Sequence, residues 1–371
     1  MSSVALSHLA RADGRELRLD PARLPGAGGE ARVFAIPGDA RRVAKVYHRP
    51  TDEHARKIAR MIADPPVLGE GDGVRLAWPE EVLNDERGQL AGFVMPRAEG
   101  PRIFEFYNPV TRRAQAPLFH HGFLHRAGAH LATAFAALHA RGYVVGDVNI
   151  LVASDGRVTL VDTDSFQVPD AAAVLRSGVR RPEFTPPELQ GVAFADVDRA
   201  PEHDLFGLGV LIFLLLMEGT HPFAVRVESG AEPIPIEERI RAGMFPHAGD
   251  RGCAPSRLAP AFAILHPLVR ELFVRCFADG HAGPSARPTA TQWRAVLAKA
   301  ELELTRCADV DAAVVLYTDG DVYTQAAAGV ARAARFSPAR KNGEPVAVQV
   351  EMDVPHLSDG GVPWNSEAGV P

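Results

Sequence analysis

The sequence predicts an α+β fold in two lobes, a small β-rich one ahead of a larger helical one. Three observations carry this reading. Up to about residue 120, short β-prone runs are separated by Gly, Pro and Asp. Beyond it, apolar residues recur at helical spacing over long segments. The texture changes once, and no internal repeat divides the chain.

The elements follow in order. Strands are predicted over 31–36, 42–47 and 90–95, a set that makes a sheet of hairpins. Between the second and third of these, residues 51–63 read as one helix capped by Thr51. Helical periodicity returns at 123–140, 205–217 and 267–277, and Val158 to Val161 form an apolar strand between the first two of these. Near the end, AVVLYTDGDVYTQ (313–325) places two apolar-rich runs around Asp319-Gly320, a hairpin signal. Past Phe336 the chain is rich in Pro, Gly and Ser with few large apolar residues, and a flexible or loosely attached tail is expected.

Composition limits what the chemistry can be. The 371 residues, 46% hydrophobic and 23% charged, describe an ordinary soluble globular protein with room for one two-lobed domain and an appendage. The net charge of -6 is spread without a basic block, which argues against nucleic acid as a partner. The three cysteines, Cys253, Cys276 and Cys307, show no CxxC spacing, which fits a reducing compartment and neither a zinc ribbon nor a disulfide framework. No secretory h-region opens the chain, and the apolar run at 210–217 is far shorter than the roughly 20 residues of a membrane span. A cytoplasmic protein away from membranes is the expectation.

Candidate chemistry begins with Gly26-Ala27-Gly28-Gly29-Glu30-Ala31-Arg32-Val33, spaced as G-x-G-x-x-[GA]-x-V. Small residues at this spacing let backbone N–H groups approach phosphate oxygens. Taken alone the motif is weak, since most glycine-rich hairpins are only turns. Val43-Ala44-Lys45 follows at the distance of the next strand, where a lysine reaches the same phosphates. Further on, GYVVGDVNILVASDGRVTLVDTDSFQV carries Asp147, Asn149 and Asp162 on neighbouring hairpin loops. Phosphoryl transfer requires such a set: a carboxylate to orient the acceptor hydroxyl, and an Asn and an Asp to hold Mg²⁺ against a triphosphate.

At this point the sequence resembles the eukaryotic-like Ser/Thr protein kinases of bacteria, over roughly residues 18–300. It is most similar to a branch, associated with tellurium resistance, that has a G-D-V-N catalytic loop and a D-T-D-S-F-Q metal loop. Thr185-Pro186-Pro187-Glu188 stands where the family has A-P-E, Asp204 with Gly207 and Gly209 at the start of the central helix, and Arg287-Pro288-Thr289 at the final R-P-T. The resemblance implies a protein-kinase-like fold with boundaries at 1–17 (N-terminal extension), 18–98 (N-lobe), 99–300 (C-lobe), 301–335 (extension with the hairpin) and 336–371 (tail). It further implies ATP and Mg²⁺, or Mn²⁺, as cofactors, and transfer of the γ-phosphoryl group to a protein hydroxyl. A nucleotide-binding pseudokinase is the alternative, and a small-molecule kinase ranks third.

Residue by residue, the resemblance gives Lys45 the α and β phosphates, Asp147 the acceptor hydroxyl, and Asp162, with Asn149, the metal. Gly26, Gly28 and Gly29 would cover the phosphates, Val33 and Ala44 would sandwich the adenine, and a hinge would run through Met95, Pro96 and Ala98. Proline has no N–H, so the hinge donor would come from a residue such as Ala98. Glu188 and Arg287 would pair to anchor the activation segment, with Asp204 as a third structural anchor. Partners by resemblance are a phosphatase and a von Willebrand-type domain protein.

Three departures accompany the resemblance. H-R-D reads Val145-Gly146-Asp147, so the arginine that senses a phosphorylated activation loop is absent. Asn149 lies two residues after Asp147 where the family has five. The helix at 51–63 lacks a glutamate at the usual spacing, leaving Glu53 as the candidate partner of Lys45. Asp164 stands where the family at large has glycine, and either stiffens the loop or adds a ligand. His120, His121 and His125 read as exposed or core histidines, Arg176, Arg180 and Arg181 as a solvated loop, and Thr185 as a hydrogen-bond partner of the catalytic Asp.

Overall fold

A computed structural model describes residues 9–20, 26–146, 149–170, 173–178, 181–226, 232–249, 252–304, 340–341 and 344–345. The first part is built of strands β1 (Leu9–Arg11), β2 (Glu16–Leu17), β3 (Gly26–Ala27), β4 (Ala31–Ile36), β5 (Asp39–Tyr47), β6 (Val74–Leu76), β7 (Glu81–Asn84) and β8 (Leu90–Pro96), with helix α1 (Asp52–Ala63) after β5. Seven of these strands form one antiparallel sheet in the order β2-β1-β7-β8-β5-β4-β3. Residues 9–17, expected as part of an extension, thus contribute two strands to the sheet.

The sheet is covered on both faces, and the alternation of side chains along β5 decides which residue goes where. Phe34, Ala44, Val46, Leu83 and Val94 pack on one face with Leu9 and Leu17. Val43, Tyr47, Phe93 and Met95 lie on the other, against Ile58 and Met61 of α1. Helix α1 starts where the Thr51 hydroxyl accepts from the His54 N–H and the His54 ring accepts from the Thr51 N–H, a reciprocal cap.

The second part contains α2 (Phe104–Tyr107), α3 (Pro109–Gln115), α4 (His121–His139), the hairpin β9 (Asn149–Val152) and β10 (Val158–Val161), then α5 (Pro201–Leu216), α6 (Ile236–Arg241), α7 (Pro267–Val274), α8 (Gly280–Ala282) and α9 (Ala290–Leu302). Every residue of α5 from Asp204 to Leu216 is buried, as a helix apolar all round must be. Helix α4 packs on both α5 and α9. Close approach to α9 depends on Gly128, where a Cβ would stand 3.1 Å from the Leu297 side chain. The predicted helix at 267–277 is α7 continuing through a wider turn, Arg275–Asp279, directly into α8.

The two parts meet through β6, which leaves the first part to pair in parallel with β10. Trp78 donates to the Met61 carbonyl at 2.9 Å and packs edge-on against Tyr143, whose hydroxyl reaches the Asp64 carbonyl at 2.7 Å. One continuous apolar cluster therefore runs from the α1 side of the sheet into the helices. Within the expected tail, Arg340–Lys341 pairs antiparallel with Glu344–Pro345, while the 313–325 hairpin lies outside the described residues. Among the described residues no helix is long and apolar enough to cross a membrane.

Candidate functional site

The site forms where β5, the β9–β10 hairpin and the turn after β10 converge. Lys45 sits opposite Phe93 of β8 and Val33 of β4, and its ammonium leaves the sheet on the α1 side. There it meets two carboxylates, Asp162 Oδ1 at 3.2 Å and Asp164 Oδ1 at 2.6 Å. The Tyr47 hydroxyl, two residues along the same face of β5, donates to Asp164 Oδ2 at 2.8 Å. Burial works against a charged Lys45, but the two aspartates outweigh it and raise its pKa above the ordinary lysine value. Burial and then Asp164 drive the Tyr47 phenol far above its usual range.

Asp162 is held by backbone geometry. It adopts the left-handed conformation, φ 54° and ψ 38°, uncommon outside glycine and best tolerated by Asn and Asp. A short 3₁₀ turn, Thr163–Ser165, follows, and the Thr163 hydroxyl ties it to the Ala77 carbonyl at 2.8 Å. The Asp162 side chain stays 49% exposed while that of Asp164 is only 7% exposed, so the two carboxylates differ in availability.

The short interval before Asn149 does not keep that residue from the site. Asn149 opens β9 directly opposite Val161, so the hairpin register brings it beside Asp162, and its Nδ2 donates to Asp162 Oδ2 at 3.2 Å. The Arg181 guanidinium approaches Asn149 Oδ1 at 3.4 Å. Asp147 lies outside the described residues. Its neighbours are fixed: the Val145 N–H donates to Asp204 Oδ2 at 2.6 Å, His139 Nε2 meets the same oxygen at 3.0 Å, and Arg199 donates to the Val145 carbonyl at 2.7 Å. Gly146 has no room for a side chain, since a Cβ there would fall 2.5 Å from Ser177 Oγ.

Two sequence expectations are corrected. Ala44 does not face the lysine side of the sheet: it is fully buried on the opposite face with Phe34 and Val46, because neighbouring residues of a strand point in opposite directions. Val43, two residues from Lys45, shares its face. Glu53 is exposed in the first turn of α1, and both carboxylates hydrogen-bonded to Lys45 come from the turn after β10. The field of Glu53 acts on Lys57, a buried lysine of α1 that burial pulls down to about 8 against the opposing pull of Asp164 and Glu53.

The remaining residues fall into place around this centre. Gly26 and Val33 are paired across β3 and β4, and Gly28 and Gly29 form the turn between those strands. Met95 is buried against the core, Pro96 ends β8, and the Arg97 N–H goes to the Arg41 carbonyl, so Ala98 carries the next N–H along the chain. Away from the site, Arg287 donates to both oxygens of Glu188, each at 2.7 Å, and also to the Glu202 and Gly280 carbonyls. The Thr185 hydroxyl donates to the Arg181 carbonyl at 2.8 Å. His120 caps α4, and His125 bonds the His121 carbonyl; among the described residues no group of three or more His, Cys, Asp or Glu is arranged to hold a metal.

Tyr47 and Lys57 belong to no motif in the sequence, yet the fold brings them, with Val43, to the Lys45 side of the sheet. A period of two around Lys45 marks residues 43 and 47 as its neighbours on one face, and helical spacing inside 51–63 places 57, 58 and 61 together on the inward face.

A lysine, two aspartates and an asparagine gathered from distant parts of the chain are accompanied by sequence similarity of matching extent. Protein kinase YegI of Escherichia coli O157:H7 is 35% identical over 300 residues, which span 77% of this chain and 45% of that protein. Protein kinase YegI of Escherichia coli strain K12 is 34% identical over 307 residues, 79% of this chain and 45% of its own length. The chain is similar to bacterial protein kinases. It spans a little under half the length of these curated relatives. No protein-family model matches the chain.

Proposed function

We propose that the chain is a two-lobed, ATP- and Mg²⁺-dependent protein kinase that transfers the γ-phosphoryl group to a serine or threonine hydroxyl of a protein. The observation that carries this is the convergence of Lys45 from one sheet with Asn149 from another and Asp162 from the turn that follows it. The three supply one fixed cation and hard oxygen donors at a single place.

The donor set fits a nucleotide with its metal. Asp162 offers a half-exposed carboxylate and Asn149 a carbonyl oxygen, too few ligands for a closed all-protein cage but the usual complement when phosphate oxygens complete the shell. The glycine turn fits as well. Gly26, Gly28 and Gly29 all lack a positive φ, and among the described residues a Cβ on any of them would meet no atom closer than 3.8 Å. Neither the backbone nor its neighbours thus require glycine there, whereas phosphates seated against the turn would. The bound metal would neutralise charge on the transferring phosphoryl group.

In this reading Lys45 orients the α and β phosphates, and Asp162 with Asn149 holds the cation. Val43 replaces Ala44 as the β5 residue facing the nucleotide, beside Val33. Asp147 takes the proton of the substrate hydroxyl as its oxygen bonds to the γ-phosphorus. The bond from that phosphorus to the β–γ bridging oxygen breaks, and ADP leaves. Arg287 and Glu188 keep the segment that presents the substrate fixed to the helical part, an anchor that argues against a small-molecule kinase. A phosphatase and a von Willebrand-type domain protein remain the proposed partners, on the resemblance alone.

The short interval between Asp147 and Asn149 favours one rival, a pseudokinase that binds nucleotide without transfer. Assay of labelled γ-phosphate transfer to the chain itself and to a generic basic protein separates the two. Transfer abolished by Asp147→Asn is expected; metal-dependent ATP binding without any transfer would establish the pseudokinase instead.

A further inference from the structure

The carboxylates that meet Lys45 do not come from helix α1. A lysine that binds phosphate is better oriented when a carboxylate fixes its long, flexible side chain. The inward face of α1 offers Lys57, Ile58 and Met61, and its two acids, Asp52 and Glu53, stand exposed in the first turn. Resting on the nucleotide-binding reading above, we propose that Asp164 is the positioning residue for Lys45. It does the work of a helical glutamate from the metal loop, while α1 contributes a buried cation, Lys57, to the same electrostatic cluster.

Geometry separates the two aspartates that touch Lys45. Asp164 is almost wholly enclosed and both its oxygens are occupied, one by Lys45 at 2.6 Å and the other by Tyr47 at 2.8 Å. Because Lys45 and Tyr47 are two residues apart on one strand face, the carboxylate spans them as a clamp and fixes the lysine's direction. Asp162 holds Lys45 at the longer distance of 3.2 Å and keeps half of its surface in solvent, as suits a group that turns to a cation when nucleotide arrives. Thr163, bonded to the Ala77 carbonyl between the two, lets them perform separate tasks.

Charge supports the division. Lys45 meets Asp162 and Asp164 directly, the Tyr47 hydroxyl donates to Asp164, and Lys57 is buried in α1 within the field of Asp164. A glutamate at position 57 would add a third carboxylate to this cluster, and the lysine found there balances Asp164 instead. Lys45 is therefore set by the loop that carries the metal ligand, and a rotation of α1 does not supply or withdraw its partner.

The test compares Asp164→Asn, Glu53→Gln and the double variant Asp164→Asn with Lys57→Glu, each checked for folding by thermal melting. Three quantities are read: Mg-ATP affinity by calorimetry, kcat and KM for transfer, and the rate at which a small amine-reactive reagent modifies Lys45 without nucleotide, followed by mass spectrometry. Asp164→Asn is expected to weaken ATP binding about tenfold, the loss of one charge-assisted hydrogen bond, and to speed Lys45 modification by a similar factor. Glu53→Gln should stay within about twofold of the parent in all three, and the double variant should regain part of the ATP affinity by moving the carboxylate to the helix. Unchanged Lys45 modification in Asp164→Asn, or a loss in Glu53→Gln as large as that in Asp164→Asn, would overturn the assignment. Should the parent protein bind no ATP, the nucleotide reading fails, and the modification rates still decide whether Asp164 holds Lys45.

Discussion

Gly92 shows how tightly the lysine strand is built. A Cβ at this position would stand 2.1 Å from the Lys45 carbonyl oxygen, which no real side chain tolerates. Gly92→Ala is therefore expected to destabilise the fold by about 3 kcal/mol or to prevent folding, read from urea unfolding of the purified variant. A neutral result would mean that β5 and β8 can part locally without loss. Gly146 is closed in the same way by Ser177 Oγ, so an arginine restored at 146 to rebuild H-R-D has no place to go. The gathering of Lys45, Asn149 and Asp162 at one centre was legible in the spacing of their motifs. What sequence reading missed was direction, as with Ala44. A motif in one dimension does not say which face a residue takes until the alternation of the strand is applied from a fixed neighbour.

Helices and long strands were the elements most readable in advance. Periodicity marked α4 and α5 to within a few residues, and Thr51 with its polar first turn marked the start of α1. Thr51→Ala removes the hydroxyl that caps the His54 N–H and should cost about 1 kcal/mol, measured by thermal or urea unfolding. The parallel pairing of β6 with β10 and the addition of β1 and β2 to the sheet were not readable. Strands of two or three residues carry too little pattern, and their partners lie far away in sequence. At this scale the Glu188 and Arg287 pair joins the segment after the site to the turn before α9. Glu188→Ala would leave the fully enclosed Arg287 guanidinium with only carbonyl partners, an expected loss of about 3 kcal/mol in urea unfolding.

For the whole molecule, buried histidines set the response to acid. His125 has no exposed surface, and burial lowers its pKa to about 4 against the pull of the His121 carbonyl. The unfolded chain takes up a proton near pH 6.5, whereas the folded chain refuses it until about pH 4. Stability from this group is thus full above pH 6.5 and falls as pH drops toward 4, by about 3 kcal/mol over the whole window. His221 and His247, also lowered to about 4, act in the same direction. Unfolding midpoints at pH 7 and pH 5 should therefore differ clearly, and His125→Gln should flatten part of that difference.

Lys45 and Asp162 are proposed together to receive a metal-bound nucleotide. Calorimetric titration of ATP into the protein, with and without Mg²⁺, tests it before any substrate is known. Binding that needs the cation and is weakened at least about tenfold in both Lys45→Ala and Asp162→Asn is the predicted result. Binding of equal strength without Mg²⁺, or unaltered by either substitution, would contradict it.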